Sequence, residues 1–336
     1  MHTPRRLILA LLASLALPLT SQAQVAQLPI ASVVPKNSLY HQSLLELGEA
    51  WRTAQGAGAR FTVFTDGSQG GEAEIVRRMR IGQLQGGLMS VVGLRDIEPS
   101  IAALQNLPLL FRSWEEIDYV RDKMRAGMEK RFLDKGFVVI GWGDAGWVRF
   151  FSKEAAFSPG DFKSRKFFAW GSEPEQQAIM KSLGYTPVPL ETGDALAAIQ
   201  TGMIDVLPST PYFALASQVF GTAKHMLDIN WAPIVGALVV TQKAWDAMTP
   251  AGQDALRKAG EKAGLAMRAQ ARKEVDEAVN AMQKRGLTVN RPSEAQMREW
   301  NALAEQLYPR IRGAMVPADT FDEVFVHLRA YRAGKR

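Results

Sequence analysis

The chain has 336 residues, with 40 lysines and arginines against 34 aspartates and glutamates, four histidines and no cysteine. That length suffices for two compact lobes. The net charge of +6 is mild and includes no basic run suited to a nucleic-acid surface, and the lack of cysteine excludes disulfides and thiol-linked lipid.

Residues 1–23 read as an export signal rather than as part of the fold. Arg5 and Arg6 precede an apolar run over residues 7–19, and Ser21-Gln22-Ala23 places small residues where a signal peptidase reads. The run is too short to span a bilayer comfortably. Cleavage after Ala23 leaves Gln24 as the mature N-terminus and, by removing Arg5 and Arg6, lowers the net charge from +6 to +4. No later segment is apolar enough to cross a membrane, so the mature chain is not expected to span one.

A first strand is expected over 28–34, followed by a helix through Leu44, Leu47 and Trp51. Residues 60–65 alternate as a second strand. The turn Asp66-Gly67-Ser68-Gln69-Gly70-Gly71-Glu72 then leads into a helix over 73–81. It lacks the Gly-Lys-Ser/Thr ending of a phosphate loop, and Glu72 and Glu74 oppose an anion, so it reads as a tight turn with acids at a helix start. A third strand falls at 87–92, an amphipathic helix at 114–133, and an apolar strand at 136–142 followed by Gly143-Asp144-Ala145-Gly146.

The stretch 161–211 organises the rest. Residues 166–169 read as a buried strand, 174–183 as a helix stopped by Gly184, 194–201 as a helix stopped by Gly202, and 203–207 as a second buried strand closed by Pro208. This alternation is that of a parallel α/β layer, whose ligands sit beyond the carboxyl ends of the strands. Those ends are residues 168–170 and 207–210. A helix at 212–219 and strands at 225–231 and 234–241 return toward the first lobe. Thr249 caps a helix with Pro250 at its first position. It runs to about Arg285, roughly 50 Å long and more than one small lobe needs. A brief strand at 287–290 and two helices from about 294 and 320 complete the chain.

The residues do not compose an enzyme site. His2, His41, His225 and His327 share no metal-ligand spacing. There is no Gly-x-Ser-x-Gly elbow, so Gly67-Ser68 and Gly171-Ser172 read as turns. Asp144, Glu173 and Glu175 read as surface carboxylates near turns rather than an acid–base pair. No cofactor is called for. What stands out is aromatic density where the lobes should meet: Trp142, Trp147, Phe168, Trp170, Tyr212 and Trp231. Such density suits an apolar small-molecule cleft with a few polar fixings.

Asp161, Lys163 and Lys166, then Leu183-Gly184-Tyr185-Thr186-Pro187-Val188-Pro189, then Ala198-Ile199-Gln200-Thr201-Gly202-Met203-Ile204-Asp205, form an ordered series. The series resembles the core of the DctP-type solute-binding proteins of TRAP (tripartite ATP-independent periplasmic) transporters. Asn106–Arg112, reading NLPLLFR, is similar to a further segment of that family. The resemblance implies a two-lobe α/β periplasmic-binding-protein fold, type II-like, with hinge strands and a long helix spanning both lobes. Lobe I is expected at 24–146 plus about 236–262. Lobe II is expected at 147–235 plus about 263–336, with the C-terminal helices. The implied activity is capture of a small solute by hinge closure in the periplasm and delivery to a TRAP permease.

This chain departs from the family where a carboxylate is usually clamped. Phe168 and Val148 stand where the family places arginines, and Ser209 where it usually places asparagine. Arg149 lies one residue past Val148, so on a strand it points to the opposite face. Lys166 shares a face with Phe168 but sits two residues back. The expected ligand is therefore neutral or largely apolar, aromatic ligands included. Its site is assigned to Ser90, Trp147, Val148, Phe168, Trp170, Ser209, Thr210, Tyr212 and Trp231. The alternatives are an organic acid held by Arg149 or Lys166, and a periplasmic ligand-binding subunit of a sensor or lipid-handling system.

Overall fold

The computed structural model describes residues 26–334. The export signal expected at 1–23 lies outside the described residues.

The first lobe is built on a five-stranded sheet of order β2-β1-β3-β10-β4. Strand β1 (Gln27–Ser32) leads to helix α1 (Leu39–Gln55), whose N-cap Ser38 accepts a hydrogen bond from the amide of His41. Strand β2 (Arg60–Phe64), helix α2 (Glu72–Arg80), strand β3 (Gly86–Ser90), the short helix α3 (Val91–Leu94) and helix α4 (Trp114–Asp134) follow. Strand β4 (Phe137–Trp147) runs five residues beyond the expected end, because Gly143–Gly146 continues its pairing with the later strand β10 (Pro233–Thr241) instead of turning. Both faces of this sheet are covered. Along β10, Val235, Ala237 and Val239 enter one core while Leu238 and Val240 enter the other. This is the two-residue alternation of a strand buried on both sides.

The second lobe holds a six-stranded sheet, part of which the sequence reading missed. Its strands are β5 (Arg149–Ser152), β6 (Lys166–Trp170), β7 (Thr186–Leu190), β8 (Val206–Ser209), β9 (His225–Leu227) and β11 (Thr288–Asn290), in the order β11-β9-β5-β8-β6-β7. Helices α5 (Pro174–Ser182), α6 (Ala195–Thr201) and α7 (Pro211–Ala216) connect them. The expected strand–helix–helix–strand unit is corrected by β7, which lies between α5 and α6. Its Pro187 and Pro189 are disfavoured inside a sheet, yet β7 is an edge of the sheet, where a missing N–H costs no ladder bond. The second parallel strand starts at Val206, three residues later than the expected 203.

After β10 come the short helix α8 (Gln242–Asp246) and the long helix α9 (Pro250–Gln283), capped by Thr249 through the amide of Gly252. Helix α9 spans both lobes. Leu256, Ala263 and Met267 belong to a core of the first sheet, and Met282 to a core of the second. Helix α10 (Glu294–Ile311) likewise joins the two, with Trp300 in the second lobe and Leu307 and Ile311 in the first. Helix α11 (Ala318–Gly334) was expected with the second lobe. It instead packs on α4, its Phe321, Val324 and Leu328 entering the first-lobe core.

Helix α9 lies almost in contact with the backbone of β4, and glycines make that possible. A Cβ on Gly141 would strike the carbonyl of Gly260, and one on Gly264 would strike the carbonyl of Trp142. Neither obstacle is a side chain that can swing away. Gly264→Ala should therefore push the helix off the strand and cost about 1–3 kcal/mol, despite alanine's better helix propensity. Urea denaturation of the variant against the parent checks this, and an unchanged or raised midpoint would contradict it.

Candidate functional site

An apolar pocket of about 150 Å³ opens where the lobes meet. Its back wall is the crossing itself. Val148 links β4 to β5, and Trp231 precedes β10, and both line the pocket. The second-lobe sheet contributes Phe150, Phe167, Phe168 and Trp170. Helix α5 closes one side with Ile179 and Met180, and α10 another with Trp300 and Leu303. The aromatic rings brace one another. Phe150 lies 5.4 Å from Phe167, 5.3 Å from Trp231 and 5.7 Å from Trp300, centroid to centroid. Phe168 and Trp170 meet edge to face at 5.3 Å. The Trp300 indole N–H donates to the Phe157 carbonyl at 2.9 Å, which fixes its ring. No residue of α5 is fully buried, so its apolar face borders the pocket rather than a packed core.

One end of the pocket is polar. Glu173, at the start of α5, is the one charged residue among those that line it; Gln105, Asn106 and Gln176 are neighbours there. The Glu173 side chain is 2% exposed and accepts a hydrogen bond from Arg95 Nη1 at 3.1 Å. Arg95 follows α3 in the first lobe, so this ion pair bridges the lobes. Arg95 Nη2 also lies 3.5 Å from Glu175. Burial pushes the Glu173 carboxyl above the usual glutamate range, with Arg95 pulling the other way. Burial likewise raises Glu72, although the amides of Ser90 and Gly93 and the Ser90 hydroxyl all donate to its carboxylate.

Comparison with known sequences places this architecture. The sequence model of the bacterial extracellular solute-binding protein family 7, DctP, matches residues 30–313. The chain belongs to that family.

An uncharacterized Salmonella typhimurium protein, YiiZ, is 27% identical over 163 residues, 47% of this chain and 49% of that one, so this chain spans about half the length of that relative. The 2,3-diketo-L-gulonate-binding periplasmic protein YiaO of Escherichia coli is 23% identical over 237 residues, 68% of this chain and 70% of its own. Among solved structures, a TRAP periplasmic solute-binding protein from Xanthobacter autotrophicus with bound β-D-galacturonate superposes with a TM-score of 0.81 at 19% identity, covering 90% of this chain and 99% of that one. The two-lobe DctP fold is thus shared, at an identity where only the fold carries over.

Four of the nine residues assigned from the sequence, Val148, Phe168, Trp170 and Trp231, line the pocket. The other five are engaged elsewhere. Ser90 caps α3 and donates to Glu72 at 2.7 Å. Trp147 points into the first-lobe core against Trp114, at 4.9 Å. Ser209 reaches only the carbonyl of its neighbour Thr210, at 3.4 Å. Thr210 is buried as the N-cap of α7. Tyr212 packs on Tyr40 and Phe213.

Neither candidate cation, Arg149 or Lys166, lines the pocket. Arg149 faces away from Phe150 across the sheet and pairs with Asp228. Lys166 sits at the exposed start of β6 and donates to the Gly202 carbonyl. At about 3.3 Å per residue it stays two residues short of Phe168.

The sequence reading missed Phe150, Phe162 and Phe167 as pocket walls. Phe150 on β5 and Phe167 on β6 flank β8, with which both strands pair, and their rings meet at 5.4 Å; the expected elements include no strand at β5. Trp300 of α10 lines the pocket as well. It closes the aromatic cluster, and Trp300→Ala should cost about 3–5 kcal/mol and weaken the near-ultraviolet circular dichroism of the ring cluster. Chemical denaturation and the dichroism spectrum check this together; a variant of parental stability would show that α10 is not held through this ring.

Proposed function

We propose that this protein is a periplasmic receptor that captures a neutral, largely apolar solute between its lobes and hands it to a TRAP-type permease. Membership of family 7 supports the receptor role. The observation that carries the choice of ligand is the pocket lining: aromatic and aliphatic side chains from both lobes, with no lysine, arginine or histidine among the lining residues. A carboxylate placed there is desolvated without a partner, which costs several kcal/mol. An aromatic or branched apolar body gains roughly 25 cal/mol for each Å² it buries.

Capture works through the crossing. A ligand against Val148 and Trp231 touches the connectors on which the lobes turn, and its contacts to Phe168 and Ile179 exist only when the second lobe is in place. Differential contact of this kind shifts a hinge equilibrium toward the closed form. An acidic ligand is the second reading, favoured by the sugar acids named for the relatives in Escherichia coli and Xanthobacter autotrophicus.

Calorimetry separates the two. The purified protein should bind 4-phenylbutan-1-ol, with compaction visible by small-angle scattering, and give no heat with succinate or galacturonate. Ile179→Trp, which fills the pocket, should abolish the alcohol's binding while the protein stays folded. Micromolar binding of succinate or galacturonate by the unmodified protein would overturn the neutral-ligand reading and leave the receptor role in place. Export should leave Gln24 at the N-terminus of the periplasmic protein. Sequencing that finds Met1 there would overturn cleavage after Ala23.

A further inference from the structure

The pocket's polar end is built differently from its walls. Glu173 is nearly fully buried there, and it lies between the pocket and the nearby cation Arg95, which is 13% exposed and does not line the pocket. Arg95 is held by Glu173 at 3.1 Å and by Glu175 at 3.5 Å. A ligand carboxylate entering the pocket therefore meets a carboxylate first, in a medium where like charges repel strongly. It reaches the guanidinium only by displacing Glu173.

The amides beside Glu173 add a second constraint. Gln105 Oε1 is occupied by the amide of Val235 at 3.1 Å. The buried Asn106 Nδ2 lies near Glu173 but completes no hydrogen bond of good geometry. One end of the pocket thus presents an acceptor, the Glu173 carboxylate, close to a donor, Asn106 Nδ2, that it leaves imperfectly paired. A hydroxyl is both donor and acceptor and satisfies the two at once. An ammonium satisfies Glu173 alone, and a carboxylate satisfies Asn106 alone while opposing Glu173.

We propose that Glu173 is the specificity-determining residue of this site, selecting an apolar ligand with a hydroxyl head by masking Arg95 and pairing with Asn106 around that hydroxyl. The proposal rests on the pocket being the ligand site. It makes acid exclusion a property of one side chain rather than only of the missing arginines at Val148 and Phe168.

The test uses a matched pair of probes on one body, 4-phenylbutan-1-ol and 4-phenylbutanoate, measured by calorimetry at neutral pH. The unmodified protein should favour the alcohol by about tenfold or more, the scale of a hydrogen bond to a charged group. Glu173→Gln is close to isosteric and frees Arg95, so it should weaken the alcohol and tighten the acid. Adding Arg95→Gln to it should take the acid gain away without restoring the alcohol. Arg95→Gln alone keeps Glu173 in place and should keep the alcohol preference, which secures the test if the first variant folds poorly. Equal binding of alcohol and acid by the unmodified protein, unmoved by Glu173→Gln, would overturn the role of Glu173 and leave the apolar pocket standing. Binding of neither probe by the unmodified protein would overturn both.

Discussion

Two backbone hydrogen bonds at the crossing are what the rest of the molecule depends on. Val148 donates to the Ala232 carbonyl at 2.8 Å, and Trp231 donates back to the Val148 carbonyl at 3.1 Å. They couple the outgoing connector, from β4 to β5, to the returning one, from β9 to β10. The two lobes are therefore joined by a paired ribbon rather than by two separate tethers. A third segment is tied to the same point, since Leu109 donates to the Trp231 carbonyl at 2.7 Å. Leu109 adopts a left-handed φ of 55°, uncommon for a residue with a side chain. The loop that carries it is fixed in turn by the Tyr308 hydroxyl, which donates to the Pro108 carbonyl at 2.8 Å. The NLPLLFR segment, visible in the sequence only as a resemblance, thus serves as a brace for the crossing.

The side chains of the same two residues face the pocket. Val148 and Trp231 carry the ribbon's hydrogen bonds on their backbones and line the cavity with their side chains. On the proposed function, binding and pivot are one place in the structure, and no long relay is needed between them. The Arg95–Glu173 ion pair is a tie of another kind. It bridges the lobes away from the ribbon, and its members leave water when the lobes meet. A buried pair of this sort contributes little net stability, but it is directional and, on the proposed function, adds register to a closure driven mainly by apolar contact.

How far the sequence could be read follows from what each signal encodes. The two departures at Val148 and Phe168 were legible because they are identities at known positions, and both residues line the pocket. The parity argument against Arg149 was legible for the same reason that strands alternate, and Arg149 does lie on the far side from Phe150. Ser90 and Thr210 were not legible as caps. A polar residue at a strand's carboxyl end can meet a ligand or start the next helix, and both of these start helices. Strand β7 was hidden by its prolines, because propensity cannot say whether a strand will be an edge. Glu173 was hidden by the opposite problem: a glutamate before a proline at a helix start looks like surface, and only the packing of Arg95 from the other lobe buries it.

Asp144 shows the same limit and sets a condition on how the lobes can move. It reads as a turn carboxylate, yet its side chain is fully buried, paired with Arg121 of α4 at 2.6 Å and 3.6 Å from Arg272 of α9. Arg272 also pairs with Asp118 of α4 at 2.8 Å. Removing one partner from such a network leaves a buried charge uncompensated, so it resists piecewise disruption. Through it, α4, β4 and α9 behave as one body as far as Arg272. Ten residues further along the same helix, Met282 is sealed in the second-lobe core. A helix of ordinary sequence bends only gently over such a span. Lobe motion that preserves both anchors is thus confined to a shallow bend between Arg272 and Met282, in step with rotation at the Val148–Trp231 ribbon.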